Sequence, residues 1–426
     1  MPSGNDALAL LEEREIRLEN VELEGGLGDQ LTPEEIFEKH VADERSATTE
    51  KGKLRARMKR LGADPDLLSN TFTPVALKDL AETEAFFASE ENVKPFVNRI
   101  SVARKLNPKT EAALNLYFRE IFHALVCGKI ALDVVYSLME TLIGAFAFLS
   151  RKVRPGPFER ANKAAIKKFH MHLAQRKTAS LLMEYKAIME AESQRQRDCH
   201  TRRTSSNVAP PTQRAMSRRL AAKTAHTSNG LSKAFAILTS DGTAPGDLET
   251  HAKIVAKTPT DAAEFPEATL ATIAEEGAEA KNRVFIDPST MSTAILACPN
   301  NSSSDIPGVC FEHVKGLLGR AHSGGKNHFL SFFSFLIEEV VRDPDGKCFT
   351  ALSTAKYIAI AKPKSSVPGD IKPIGITSVF RRIYGKYVMI ESGKLLGGVL
   401  SSRKCNPQFA VGVSSGANIL GLGFRV

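Results

Sequence analysis

The 426 residues predict a mainly α protein with a small α+β region. Three observations point there. Apolar residues recur at three- and four-residue spacing from residue 112 to residue 149, the period of one helix face. Phe329, Phe332, Phe333, Leu336, Ile337 and Val340 form a second stripe with the same period. Residues 356–360 and 371–376 read instead as two short strands around the loop 363–370, a hairpin with lysines at its tip.

Four regions follow along the chain. Residues 1–75 form an acidic head. Its first 50 residues hold 14 Asp and Glu against 4 Lys and Arg, a net of −10. Little apolar periodicity runs through them, so mostly disorder or marginal helix is expected. Residues 51–60 are a short basic run, one solvated helical face. Residues 76–198 form a helical region. Its most apolar part, 121–149, is interrupted by Lys129, Asp133 and Glu140 and reads as a buried helix or helix pair, not a membrane span. Residues 158–198 continue in helical composition with dense Lys and Arg.

Residues 199–230 are a basic linker, because 201–211 are rich in Ser, Thr and Pro. The block 151–230 carries 18 Lys and Arg against 5 Asp and Glu, a net of +13, and such blocks meet phosphates or are simply solvated. From residue 231 the chain changes character. A short helix at 234–238 stops at the turn Thr239-Ser240-Asp241-Gly242. Asp343-Pro344-Asp345-Gly346 ends the phenylalanine-rich helix. After the hairpin, Ser378 is placed to cap a helix with Phe380, Ile383, Tyr384, Tyr387 and Val388 as its apolar residues.

Composition excludes several classes. The six cysteines show no C-x-x-C spacing, which argues for reduced thiols inside the cell, nuclear or cytoplasmic, and against a disulfide scaffold or zinc ribbon. The acidic start lacks an apolar secretory segment. Gly412-Val-Ser414-Ser-Gly416 fits the nucleophile elbow of hydrolases, but the last histidine, His328, lies upstream of it. Ser323-Gly-Gly-Lys326 lacks the spacing of a phosphate loop. His170 and His172, and the isolated Cys199-His200, have no nearby partners in sequence for a metal.

One ordered series of motifs resembles the reverse transcriptases of non-LTR (LINE-type) retrotransposons. It begins with the segment 232–245 and continues through Ser302-Ser-Ser-Asp305-Ile-Pro-Gly308-Val-Cys-Phe-Glu312-His313-Val-Lys315. Next come Tyr357-Ile-Ala-Ile-Ala-Lys362-Pro-Lys364, Asp370-Ile-Lys372-Pro373-Ile374-Gly375-Ile376, and Arg381-Arg382-Ile-Tyr-Gly-Lys386. It ends at Pro407-Gln408-Phe-Ala-Val-Gly412-Val-Ser-Ser-Gly416. The resemblance covers roughly residues 230–420 and implies that residues 231–426 are the lead-in and incomplete fingers of a right-hand polymerase. Lysines on a rigid hairpin can close over a nucleoside triphosphate and offset its charge. By resemblance Lys362 or Lys364, together with Lys372, contacts the triphosphate, and Arg381, Arg382 and Lys386 face template or nucleotide phosphates. Lys372 stands where the family has Arg, exchanging a bidentate fork for a point charge. Ile306-Pro307-Gly308 replaces an acidic-Gly pair.

The complete family enzyme synthesises DNA on RNA with magnesium held by aspartates. No acidic residue follows Glu391, so the catalytic palm is expected to be missing, with no catalytic residue and no metal cofactor in this chain. The expected function is therefore that of a fragment of an RNA-directed DNA polymerase, inactive alone. The alternative is a nucleic-acid-binding or non-catalytic interaction protein. RNA or DNA is the expected partner, with Arg214, Arg218, Arg219 and Lys223 as further contacts. No membrane and no small-molecule substrate other than nucleotides are expected.

Overall fold

The computed structural model describes residues 33–69, 71–97, 102–153, 155–204, 221–222, 248–257, 285–300, 302–319, 328–343, 346–361 and 370–402. The chain divides into two units, Met1–Arg60 and Leu61–Val426. In the first, helices α1 (Pro33–Ser46) and α2 (Glu50–Arg60) pack on each other. Thr49 caps α2 by accepting from the Gly52 amide at 3.0 Å, and Arg60 Nε meets Glu44 at 3.0 Å. Part of the acidic head, expected as disorder or marginal helix, is thus a paired helix.

The second unit carries α3 (Pro74–Ala88), the single turn α4 (Glu90–Val93), α5 (Pro108–Val126), α6 (Leu132–Leu149), α7 (Pro157–Ala174), α8 (Thr178–Thr204), α9 (Leu248–Lys257), α10 (Pro288–Ala297), α11 (Phe311–Leu318), α12 (His328–Arg342) and α13 (Lys347–Ser353). Strands β1 (Ala355–Ala361) and β2 (Ile371–Thr377) and helix α14 (Val379–Ser402) follow. The described residues are mostly helical with one two-stranded sheet, as the apolar periods predict.

Local chemistry sets many of the boundaries. Helices α3, α5 and α10 open with a capping side chain followed by proline: Thr73-Pro74, Asn107-Pro108 and Asp287-Pro288. Asn107, for example, accepts from the Lys109 amide at 2.7 Å. Gly128, at φ +62°, lets α5 end in a left-handed turn where the Lys129 amide reaches the Ala124 carbonyl at 2.8 Å. The apolar stretch 121–149 is therefore a helix pair broken at Lys129. By length and composition α6 could cross a membrane, and 78% of it is buried inside the fold.

The six apolar positions of the α12 stripe are fully buried. Phe332 stacks on Phe118 of α5 with ring centres 5.5 Å apart, Phe335 meets Phe122 edge-on at 5.3 Å, and Phe333 meets Phe380 of α14 at 5.3 Å. Burying one such ring contributes roughly 1.5–3 kcal/mol. Helix α12 ends at Arg342, before the Asp-Pro-Asp-Gly sequence.

Strands β1 and β2 pair antiparallel, Ile358 opposite Ile374 and Ile360 opposite Lys372, so the hairpin forms as expected. Tyr357 is 48% exposed, and the buried residues are Ala359 and Ile371. Helix α9 lies against the sheet. Lys257 of α9 bonds the Asp370 carboxylate and, at 3.1 Å, the Ile371 carbonyl. Strand alternation shows that one face is covered but not which helix covers it. Ser378 caps α14 by accepting from the Phe380 amide at 3.2 Å. Phe380, Ile383 and Tyr387 are buried, whereas Val388 is 39% exposed.

Candidate nucleic-acid interface

The motif pieces dispersed between residues 302 and 386 meet at the start of α14. Asp305 links them. Its Oδ1 accepts from the Val309 amide at 2.7 Å, closing the turn 305–309, and its Oδ2 accepts from the Val379 amide at 3.1 Å, at the first turn of α14. A carboxylate suits a helix N-terminus, where backbone N–H groups lack intrahelical partners. The hairpin runs directly into this helix through Ser378.

Beside Asp305 lies Glu140 of α6. Its Oε1 accepts from the Tyr136 hydroxyl at 3.0 Å and from Ser378 Oγ at 3.0 Å. A cleft of about 170 Å³ is lined by Glu140, Asp305, Pro307, Ala351, Thr354 and Ser378 among others. Burial, and then the negative charge of Asp305, push the Glu140 carboxyl up to about 8, against the hydrogen bonds from Tyr136 and Ser378. The sequence reading had taken Glu140 only as an interruption of an apolar run. Nothing local to residue 140 signals a partner at residue 378.

Cations gather on the strand-like segment before Asp305. Lys315 donates to the Cys298 carbonyl at 2.6 Å and to Asn300 Oδ1 at 3.0 Å. Arg104 donates to the Ser302 carbonyl and lies 3.6 Å from Glu312. Arg382 Nη2 donates to the Ser303 carbonyl at 2.9 Å, and its guanidinium sits 4.7 Å from the Phe311 ring centre. Burial raises the Cys298 thiol, while Lys315, Lys386 and Arg382 pull it back. Burial likewise pushes Cys310 up to about 11, opposed chiefly by Arg104. Arg104 was not singled out in the sequence, being 198 residues from its partner Ser302.

The predicted site residues thus fall into three groups. Lys372, Arg381 and Lys386 are exposed on β2 and α14. Arg382 is half-buried and directed onto the 302–305 segment, where it holds backbone. Lys362, Lys364, Arg214, Arg218, Arg219 and Lys223 lie outside the described residues, as do the segments 232–245, 323–326 and 407–416. His170 is bonded to Thr110 at 3.0 Å and stacked on Phe146, and His172 bonds Glu184 at 3.1 Å.

Among the described residues, Glu140 and Asp305 do not form a two-metal polymerase centre. Such a centre needs oxygens open to the ions. Asp305 spends both oxygens on backbone amides and Glu140 accepts two hydrogen bonds at Oε1, and among the described residues no group of three His, Cys, Asp or Glu could hold a metal. Comparison of the chain with protein-family models, characterised proteins and solved structures returned no match.

Proposed function

We propose that this chain corresponds to the fingers-side part of a reverse transcriptase of the non-LTR retrotransposon type, and that it binds RNA or DNA without polymerising nucleotides. One observation supports this reading above the others. The lead-in 302–315, the hairpin and the Arg-Arg…Lys helix are tied into one body by Asp305 and Arg382, although up to 79 residues separate the bonded partners. That body presents Lys372, Arg381 and Lys386 to solvent. Exposed cations on a rigid hairpin and helix suit the phosphates of a template or a nucleotide. Magnesium would belong to the complete enzyme.

A second reading, a protein-interaction module, is favoured by the isoleucine face of the sheet. Ile374 is 36% exposed, and Ile358, Ile360 and Ile376 on the same face are half-buried. The two readings separate in one titration. The full chain, mixed with labelled RNA or DNA across a salt series, should bind with a log–log slope near −0.9 per duplex phosphate neutralised. Replacing Lys372, Arg381 and Lys386 together by Gln should flatten that slope by about two to three phosphates. Unchanged affinity and slope in the triple variant would overturn the interface and leave the interaction module.

A further inference from the structure

A second surface, on α7 and α8, combines features that the hairpin lacks. A cleft of about 340 Å³ is lined by Arg151, Val153, Phe158, Asn162 and Arg195. Phe158 is 61% exposed, so its ring face is open to a ligand. The Arg195 guanidinium lies 5.3 Å from its ring centre. Glu192 holds both arginines: Arg195 through two bonds of 2.6 and 3.0 Å, and Arg151 at 3.4 Å. One carboxylate therefore fixes two guanidinium groups, and the trio keeps a net positive charge. Asn162 Nδ2 is buried with no hydrogen-bond partner, a donor still to be used. Exposed Lys152, Arg160, Lys163 and Lys167 belong to the same stretch of chain, within the block of net charge +13, and Lys163 pairs with Glu159 at 2.6 Å.

We infer that this cleft is a single-stranded nucleic-acid site, in which one unpaired base stacks on Phe158 while Arg151 and Arg195 engage the adjoining phosphate. The chemistry is complementary at each part. An aromatic ring accepts any base face without reading its sequence. Guanidinium groups held in place by Glu192 lose little freedom on meeting a phosphate. The Asn162 amide can donate to a base or sugar oxygen. A duplex cannot use the ring, because its bases are already stacked on each other. The inference shares with the proposed function only the class of ligand; its residues are separate from those of the hairpin.

The test exploits the absence of tryptophan from the whole chain. Phe158→Trp places a single reporter in the cleft of the full-length protein. Its emission should be quenched on titration with a single-stranded oligonucleotide of about 12 nucleotides and not with the matching duplex at equal phosphate concentration. In parallel, Phe158→Ala should weaken single-strand binding about tenfold at fixed salt without changing the salt slope. Arg195→Gln should reduce the single-strand slope by about 0.7. Phe158 is largely exposed, so its replacement leaves the core intact, and an unchanged unfolding midpoint verifies this. No quenching, or an Ala variant that binds single strands like the wild type, overturns the site even if the hairpin variants abolish binding. Retained quenching with unaffected duplex binding in the hairpin variants would instead remove the proposed function and leave this site standing.

Discussion

At the scale of single residues, Glu140 has the clearest thermodynamic signature. Burial and the neighbouring Asp305 charge raise its carboxyl from the usual range near 4.5 to about 8. The folded protein therefore holds a proton that the unfolded chain releases between those values. Its contribution to stability is fully present below pH about 4.5 and is lost as pH rises through about 8. The loss is on the order of a few kcal/mol. Glu140→Gln keeps an acceptor for Tyr136 and Ser378 and cannot ionise. Denaturant midpoints measured from pH 5 to pH 9 should fall for the wild type relative to this variant, with the gap widest at the alkaline end. Parallel curves would show that Glu140 does not carry the proton. Arg382 makes the opposite point about single residues. It was predicted from a motif as a phosphate contact, and its guanidinium is turned onto the Ser303 carbonyl and the Phe311 ring.

Between elements, α6 and the turn 305–309 approach closely. A Cβ added at Gly144 would lie 2.3 Å from the Pro307 carbonyl oxygen, a backbone atom that cannot rotate away. Gly144→Ala must therefore push the turn off the helix, and with it the Asp305 bond to the start of α14. The expected cost is about 1–3 kcal/mol, as for other overpacked sites. Gly385, in the middle of α14, is the internal control. Nothing lies within 4 Å of its added Cβ, so Gly385→Ala should stabilise by about 0.5–1 kcal/mol through helix propensity alone. Unfolding free energies of the two variants in the same buffer should move in opposite directions. A neutral Gly144→Ala would mean that the turn is not seated against α6. The hairpin is a comparable case of support from elsewhere in the chain. An isolated pair of strands is marginal in water, and here α9 with Lys257 provides the missing contacts.

At the scale of the whole molecule, polymerisation would need carboxylates grouped around two metal ions. If the chain corresponds to the fingers side alone, as proposed, the purified protein should not extend a primer on an RNA template with magnesium or manganese. Template-dependent incorporation above a no-protein control would place metal-holding groups where none has been identified. Much of the architecture was legible in the sequence because its causes are local. The 112–149 and 329–340 periods mark helix faces, the Asp-Pro-Asp-Gly stop ends α12, Ser378 caps α14, and two β-prone runs around a loop make the hairpin. Each depends on residues within a few turns of one another. What covers the sheet, where Arg382 points, why residue 144 is glycine, and how Glu192 gathers Arg151 and Arg195 were decided only by the tertiary structure. Those features depend on partners brought together by packing, between residues such as 144 and 307 or 104 and 302, and sequence periodicity carries no record of contacts at that separation.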